Sequence, residues 1–229
     1  MKLFLDAGHG LGNRTPGVMD PGAMGNGTSE HAEVEKLRTE IIARVGNRVT
    51  IVAVPNDGFT LQQKGNFLVQ NFAEGDVFLS LHMNSSEPTG TGSEVLFDDA
   101  KPQHRKAADA MALDYATAMG LKNRGAKPDT ESHEGNVFLL GKFPGPGFLL
   151  ETGFISLASD LEIVRTKATA VISDLIVARF GVVVVGGQEL EAARSRMIEL
   201  GVFTEDVPRG QTVTTDELAL FLARFRGPS

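Results

Sequence analysis

Three apolar segments of the chain each end in a residue that can bind a metal or move a proton. They are residues 3–9, 79–82 and 148–151, which end in His9, His82 and Glu151. Glycines on both sides of His9 allow a sharp turn that leaves its imidazole uncovered. Open α/β sheets bind ligands at the carboxyl ends of their strands. We therefore expect the three side chains to converge on one site.

The residue types at these segment ends favour zinc chemistry. A catalytic zinc ion takes three protein ligands and keeps a fourth position open for water. The chain contains no cysteine, so the ligands must be histidines and a carboxylate, and His9 and His82 are the natural pair. The first turn of the next helix offers two carboxylates, Glu30 and Glu33. Glu151 would then serve as general base and acid.

Composition excludes several classes of function. The 229-residue chain is 41% hydrophobic, which is enough for one α/β domain and a small appendage. It has no long apolar run, so we predict no membrane span. A net charge of −7 argues against nucleic acid as a partner. The chain begins almost at once with a predicted strand and shows no secretory signal, so we expect synthesis in the cytosol.

The elements that must position these residues alternate between strands and helices for about 180 residues, which predicts an α/β sheet covered on both faces. Residues 11–29 form a long loop beside the site, and Thr28 and Ser29 can cap the helix that follows. Residues 121–136 predict a second loop. The apolar run at residues 137–140 predicts a short strand. Residues 160–180 predict one long helix.

The last fifty residues differ in composition from the rest. Residues 182–187 begin with four valines and end with two glycines, which predicts a linker or an edge strand. Residues 188–229 predict a small helical hairpin. We therefore divide the chain into a catalytic domain at 1–181, the connecting segment 182–187 and a C-terminal module at 188–229.

Five motifs in order resemble the type-3 family of zinc-dependent N-acetylmuramoyl-L-alanine amidases. The matching stretches are residues 5–10, 20–30, 80–84, 123–125 and 150–156. The resemblance implies that His9, Glu30 and His82 bind Zn²⁺ and that Glu151 is catalytic. Val34 and Glu35 depart from the family pattern after the zinc glutamate, which keeps Glu33 as a second candidate. The Gly-Asn-Gly sequence at 25–27 favours Glu30.

The same resemblance implies a fold, a reaction and a substrate. The fold is a mixed, mostly parallel sheet flanked by helices, of the phosphorylase/hydrolase-like kind. The reaction is hydrolysis of the amide between N-acetylmuramic acid and L-alanine in peptidoglycan. Candidate substrate contacts are Asn84, Arg124, which could bind a carboxylate of the stem peptide, and His133, whose loop could close over the site.

Other interpretations remain open at this point. The substrate could be another amide, or the chain could be a wall-binding module that kept the fold without activity. The C-terminal hairpin is similar to one S-layer-homology repeat, so it could bind the wall, form a dimer or only pack on the domain. A phage endolysin released when the membrane is breached, or a bacterial autolysin exported by another route, would fit a chain without a secretory signal.

Overall fold

The computed structural model of the protein describes residues 1–86, 90–132 and 135–180. The predicted segments 182–187 and 188–229, and the candidate residue His133, lie outside the described residues. No helix within the described ranges is long and apolar enough to cross a membrane.

The described residues form ten strands, four of which are two-residue pairings in the first loop. In chain order they are β1 (Leu3–Ala7), β2 (Gly10–Leu11), β3 (Met19–Asp20), β4 (Met24–Gly25), β5 (Thr28–Ser29), β6 (Ile51–Ala53), β7 (Val77–Asn84), β8 (Ser93–Phe97), β9 (Asn123–Pro128) and β10 (Gly147–Phe154). Six of them make one sheet in the order β6-β1-β7-β10-β8-β9. The pairs are parallel except for β8, which runs antiparallel to β10. The predicted mixed, mostly parallel sheet is therefore confirmed.

Helices cover both faces of this sheet. They are α1 (Glu30–Val45), α2 (Leu61–Asn71), α3 (Arg105–Met119), α4 (Phe138–Lys142), α5 (Ala158–Ile163) and α6 (Thr169–Phe180). A π-helical turn, Val164–Ala168, joins α5 to α6, so the long helix predicted from residue 160 is interrupted. One face of the sheet packs against α1, α3 and α6, and the other against α2 and α4.

The helix that leads out of the first loop begins and ends as its sequence predicts. The hydroxyl of Ser29 accepts a hydrogen bond from the backbone N–H of Ala32, and Gly46 ends the helix with a φ of +55°. Its buried stripe includes Val34, Leu37 and Ile41, which pack on the sheet. This arrangement places the first turn of α1 at the carboxyl edge of β1 and β7.

Two predicted elements have a different conformation. Residues 121–136 were expected to be a loop, but Asn123–Pro128 form the edge strand β9 beside β8. This strand has no β-branched residue, so pairing with β8 rather than intrinsic propensity produces it. Residues 137–140 were expected to be a strand, but Phe138–Lys142 form α4. A four-residue apolar run does not distinguish a buried strand from a buried helix turn.

The core beneath α2 and α4 is aromatic and supports a stability prediction. Phe143 is fully buried, and its ring centroid lies 5.7 Å from that of Phe4 and 5.6 Å from that of Phe78. We expect Phe143→Ala to lower the free energy of unfolding by about 3–5 kcal/mol because it leaves a cavity. Urea denaturation measures this change.

The control for this prediction is Val69→Ala, at a side chain of α2 that is 50% exposed. It should change the free energy of unfolding by no more than about 0.5 kcal/mol. Similar losses in the two variants would contradict the aromatic core described here.

Candidate metal centre

His9, Glu30 and His82 lie together where β1 and β7 meet the first turn of α1. Nε2 of His9 is 3.0 Å from Oε2 of Glu30, and Nδ1 of His82 is 2.9 Å from Oε1 of the same carboxylate. Potential ligand atoms of the three residues all lie within 4.8 Å of one another. The carboxylate therefore bridges two imidazoles, one from the turn after β1 and one from β7.

Close backbone packing gives the two imidazoles their positions. His9 has a φ of +66°, a left-handed conformation that is uncommon for a residue with a side chain. A Cβ atom at Gly8 would lie 2.4 Å from the ring of His82. One at Gly22 would lie 2.5 Å from the ring of His9. Glycine at these two positions therefore leaves the space that the two rings occupy.

The structure distinguishes Glu30 from Glu33, the two carboxylates that the sequence offered as the third ligand. Glu30 is only 4% exposed and also accepts hydrogen bonds from the backbone N–H groups of Ala23 and Met83, at 3.0 and 2.9 Å. Glu33 instead accepts two hydrogen bonds from Arg165, at 3.0 and 2.6 Å, and one from Thr28. Glu33 thus serves a side-chain ion pair away from the histidines.

Asp20 is a further carboxylate of this cluster, and sequence reasoning gave it no role. Its Oδ2 lies 3.1 Å from Nδ1 of His9, although outside hydrogen-bond geometry. It accepts a hydrogen bond from Asn13 at 2.8 Å, and its Oδ1 accepts one from the N–H of Gly22. Carboxylates often orient the far nitrogen of a metal-binding histidine. A carboxylate in the loop that follows His9 was the available signal.

Contacts within the cluster favour the charged forms of Glu30, His9 and Asp20. Burial raises the pKa of Glu30, but hydrogen bonds and charge from His82 and His9 outweigh it and hold the pKa far below its usual value. Burial lowers the pKa of His9, but Glu30 and then Asp20 outweigh it and raise the pKa above 6.5. Burial raises the pKa of Asp20, but the hydrogen bond from Asn13 and the nearby His9 outweigh it and lower the pKa to about 2.

The residues present fit a metal ion of the zinc type. Two imidazoles and one carboxylate converge without a thiolate, and the side chain of His82 keeps 20% of its surface exposed. This nitrogen and oxygen set suits Zn²⁺ with one position left for water or substrate. The short contacts between Glu30 and the imidazoles bring the ligand atoms together.

Glu151 lies one strand away from this cluster. It is paired with His82 on β7 and with Glu94 on β8, so these side chains point to the same face of the sheet. The strands β7 and β10 continue past these residues to Asn84 and Phe154, so His82 and Glu151 are near the strand ends and not at them. His82, Glu151 and Glu94 thus form a row across the neighbouring strands β7, β10 and β8.

The candidates Asn84 and Arg124 both contact Glu94, which sequence reasoning missed. The amide of Asn84 donates to Oε1 of Glu94 at 3.0 Å, and Arg124 donates to Oε2 at 2.8 Å. Lys127 donates to the same oxygen at 2.6 Å. Glu94 is 7% exposed. A buried glutamate therefore holds two cations and an amide beside Glu151, and the glutamate in the sequence Gly-Ser-Glu-Val was the available signal.

The space at Gly22 supports a test with a matched control. Gly22→Ala would push a methyl group into His9 and Glu30, whereas a Cβ at Gly17 would meet nothing within 4 Å. Both glycines have a left-handed φ, +67° and +73°, so both variants carry a similar backbone strain of about 1–2 kcal/mol. We expect Gly22→Ala to weaken Zn²⁺ binding by about tenfold or more and Gly17→Ala to leave it unchanged. Titration against a competing chelator measures both; equal affinities would refute the tight fit.

The raised pKa of His9 predicts how the metal-free protein responds to pH. The contribution of protonated His9 is complete below its unfolded pKa of about 6.5 and is lost as pH rises through the higher folded value. The melting temperature of the metal-free protein should therefore fall as the pH rises above about 6.5, and by more than that of His9→Gln. Added Zn²⁺ needs the neutral imidazole, so its stabilising effect should grow over the same range. Identical pH profiles for the two proteins would contradict this.

Comparisons with known proteins place the chain in a family. Residues 3–177 match the family described as N-acetylmuramoyl-L-alanine amidase. The N-acetylmuramoyl-L-alanine amidase LytC of Bacillus subtilis (strain 168) is 27% identical over 187 residues, which cover 75% of this chain and 34% of that protein. The match thus spans about a third of that relative's length.

Solved structures share the fold. An N-acetylmuramoyl-L-alanine amidase from Clostridium difficile 630 superposes with a TM-score of 0.63 at 18% identity, over 85% of this chain and 96% of that one. The catalytic domain of the CD27L endolysin targeting Clostridia difficile gives 0.58 at 24% identity, over 77% and 94%. Because the family match covers residues 3–177 of the 229-residue chain, this protein belongs to the N-acetylmuramoyl-L-alanine amidase family.

Proposed function

We propose that this protein hydrolyses the amide bond between N-acetylmuramic acid and L-alanine in peptidoglycan and that it uses zinc. The observation that carries the proposal is the bridge of Glu30 between His9 and His82, one strand away from Glu151. A metal site and a carboxylate at one edge of the sheet are the parts that amide hydrolysis needs. Membership of the amidase family supports this substrate over other amides.

The three ligands and Glu151 have separate roles in this proposal. His9, Glu30 and His82 hold Zn²⁺, which when bound polarises a carbonyl and makes water a nucleophile near neutral pH. Glu151 takes a proton from the attacking water and then gives a proton to the leaving amine. Its place beside His82 on the neighbouring strand allows this, because both side chains point to the same face.

We assign substrate recognition to the residues around Glu94. Arg124 and Lys127 together carry one more positive charge than Glu94 can neutralise, and their side chains stay 28% and 31% exposed. They can therefore attract a carboxylate of the stem peptide while Glu94 keeps them in place. Asn84 contacts the same glutamate and borders the same edge of the sheet. His133, outside the described residues, stays a prediction.

The proposed reaction also suggests a domain organisation and a role in cell-wall degradation. Residues 1–181 would be the catalytic domain, 182–187 a connection and 188–229 a module that binds the wall, forms a dimer or packs on the domain. Cell-wall degradation by a phage endolysin, or by an autolysin exported by another route, are both compatible with this arrangement. The similarity to the catalytic domain of an endolysin supports the endolysin. The similarity to LytC of Bacillus subtilis supports a bacterial amidase.

Digestion of purified cell walls tests the proposed reaction. We expect new amino termini of L-alanine without new reducing sugar ends, and we expect a chelator to abolish their release and Zn²⁺ to restore it. New reducing ends would indicate glycan cleavage instead. Release from small amide substrates alone would favour a different amidohydrolase, and binding to walls without any cleavage would favour a wall-binding module.

The separate roles of Glu30 and Glu151 predict different effects when each is replaced by glutamine. Glu151→Gln keeps the side-chain size and removes the base, so wall hydrolysis should fall by about 10²–10⁴ while Zn²⁺ stays bound. Glu30→Gln, the matched change at a ligand, should lose Zn²⁺ together with activity. Metal content and amide release are measured on both purified proteins. Near-normal hydrolysis by Glu151→Gln would remove Glu151 from the mechanism.

A further inference from the structure

A fully buried lysine lies beneath the metal centre and has no part in the proposed reaction. Lys64, in the first turns of α2, is 1% exposed. An ammonium group inside a protein is costly unless it is paired and hydrogen-bonded. Its contacts therefore indicate what the chain gains from keeping it.

The ammonium group binds the segment that carries His9. Nζ of Lys64 lies 3.3 Å from Oδ1 of Asp6 and donates to the carbonyl oxygens of Ala7 at 3.5 Å and His9 at 3.4 Å. Its shortest hydrogen bond, 2.6 Å, goes to Oδ1 of Asn56. Three of these four partners belong to residues 6–9, which form the end of β1 and the turn after it.

The contact with His9 bears on the direction of its imidazole. A φ of +66° is a strained conformation for a residue with a side chain, so neighbouring groups must hold it. The ammonium group holds the carbonyl oxygen of this same residue. A change in the backbone at His9 would turn its Cβ and carry Nε2 away from Glu30, which now lies 3.0 Å away.

Hydrogen bonds also connect the ammonium group to the two elements that carry the other ligands. Asp6 accepts a hydrogen bond from Ser80 at 2.8 Å, and Ser80 precedes His82 by two residues on β7. Asn56 donates to Glu35 at 2.9 Å, and Glu35 is on α1, which begins with Glu30. Lys64 thus lies at the centre of a buried network that touches the elements carrying all three ligands.

We propose that Lys64 is a positioning residue that sets the geometry of the metal centre by holding the His9 turn and linking it to β7 and α1. This rests on the proposed ligands but not on the proposed substrate. Without Lys64 the carbonyl of His9 loses its donor, and the three ligands lose a common anchor. Metal affinity should then fall although no ligand has changed.

The experiment removes the ion pair without leaving a buried charge. Lys64→Met/Asp6→Asn keeps the volumes of both side chains and leaves an amide that can still accept from Ser80. We expect Zn²⁺ affinity to fall by about 10–100-fold, as other changes behind metal ligands do. The visible spectrum of the Co²⁺-loaded protein should also change, because it reports the arrangement of the ligands. Both are measured beside the melting temperature of the metal-free protein.

The matched control is Lys101→Met/Asp98→Asn. Lys101 also donates to two carbonyl oxygens, those of Leu140 and Phe143 at 3.1 and 2.6 Å, and pairs with Asp98 at 2.9 Å. Its contacts lie in the β8–α3 and α4 region. The control should lower the melting temperature and leave both Zn²⁺ affinity and the Co²⁺ spectrum as in the unchanged protein.

The outcomes separate this inference from the proposed function. Unchanged Zn²⁺ affinity and Co²⁺ spectrum in the Lys64 variant, or equal losses in both double variants, would overturn the positioning role. Absence of Zn²⁺ binding by the unchanged protein would overturn the metal site itself and the positioning role with it. If the double variant does not fold, Asn56→Ala removes the shortest contact of Lys64 and keeps the ion pair. Weaker Zn²⁺ binding then supports the proposal, and unchanged binding overturns it.

Discussion

The carboxylate of Glu30 between the imidazoles of His9 and His82 is the interaction on which the rest of the site depends. A carboxylate that is 4% exposed needs donors at its oxygens, because burial without them is costly. Two come from the histidines and two from the backbone at Ala23 and Met83. The strand β1, the long loop, the start of α1 and the strand β7 must all be in place for this one group. The candidate metal centre is thus also the point where four parts of the chain are joined.

Further charged residues contact the His9 segment, which donates to this carboxylate. Asp20 lies on the outer side of His9, toward the loop, and Lys64 lies beneath its turn. Each charged group is paired with an opposite charge or held by hydrogen bonds, which reduces the cost of burying so many polar atoms near one edge of the sheet. A hydrogen-bonded arrangement of this kind leaves few alternative side-chain positions. Such rigidity suits a site that must present ligands in one geometry.

A second cluster of charged residues lies on β8 and β9, the two strands that follow β10 in the sheet. Glu94 holds Arg124 and Lys127, and the antiparallel pairing of β8 with β10 brings it beside Glu151. The pattern places positive charge on the side of Glu151 away from the metal centre. In the proposed function, this charge orients an anionic stem peptide while the amide bond lies near the proposed metal ligands. The edge strand β9 supplies both cations, so the proposed recognition of the substrate depends on this strand.

The residues that could be placed from sequence are those whose role depends on local pattern. The apolar segments that lead to His9, His82 and Glu151 predicted β1, β7 and β10, although β7 and β10 continue past His82 and Glu151. The family motifs indicated Glu30 at the capped start of α1. These inferences needed only strand propensity, a helix cap and the known edge at which α/β sheets bind ligands. The alternation of elements predicted an α/β sheet with helices on both faces, and the family resemblance implied that the sheet is mixed and mostly parallel.

Only tertiary structure decided the rest, because it depends on contacts between residues far apart in the chain. Glu30 faces the histidines, whereas Glu33 pairs with Arg165, which is 132 residues away in the chain. Residues 123–128 become a strand because β8 offers unpaired backbone groups, and residues 138–142 become a helix that packs two adjacent leucines into the core. The surroundings of Lys64 arise where β1, β7, α1 and α2 meet. No local pattern encodes such a meeting point, since the energy of a buried charge depends on partners that folding alone brings together.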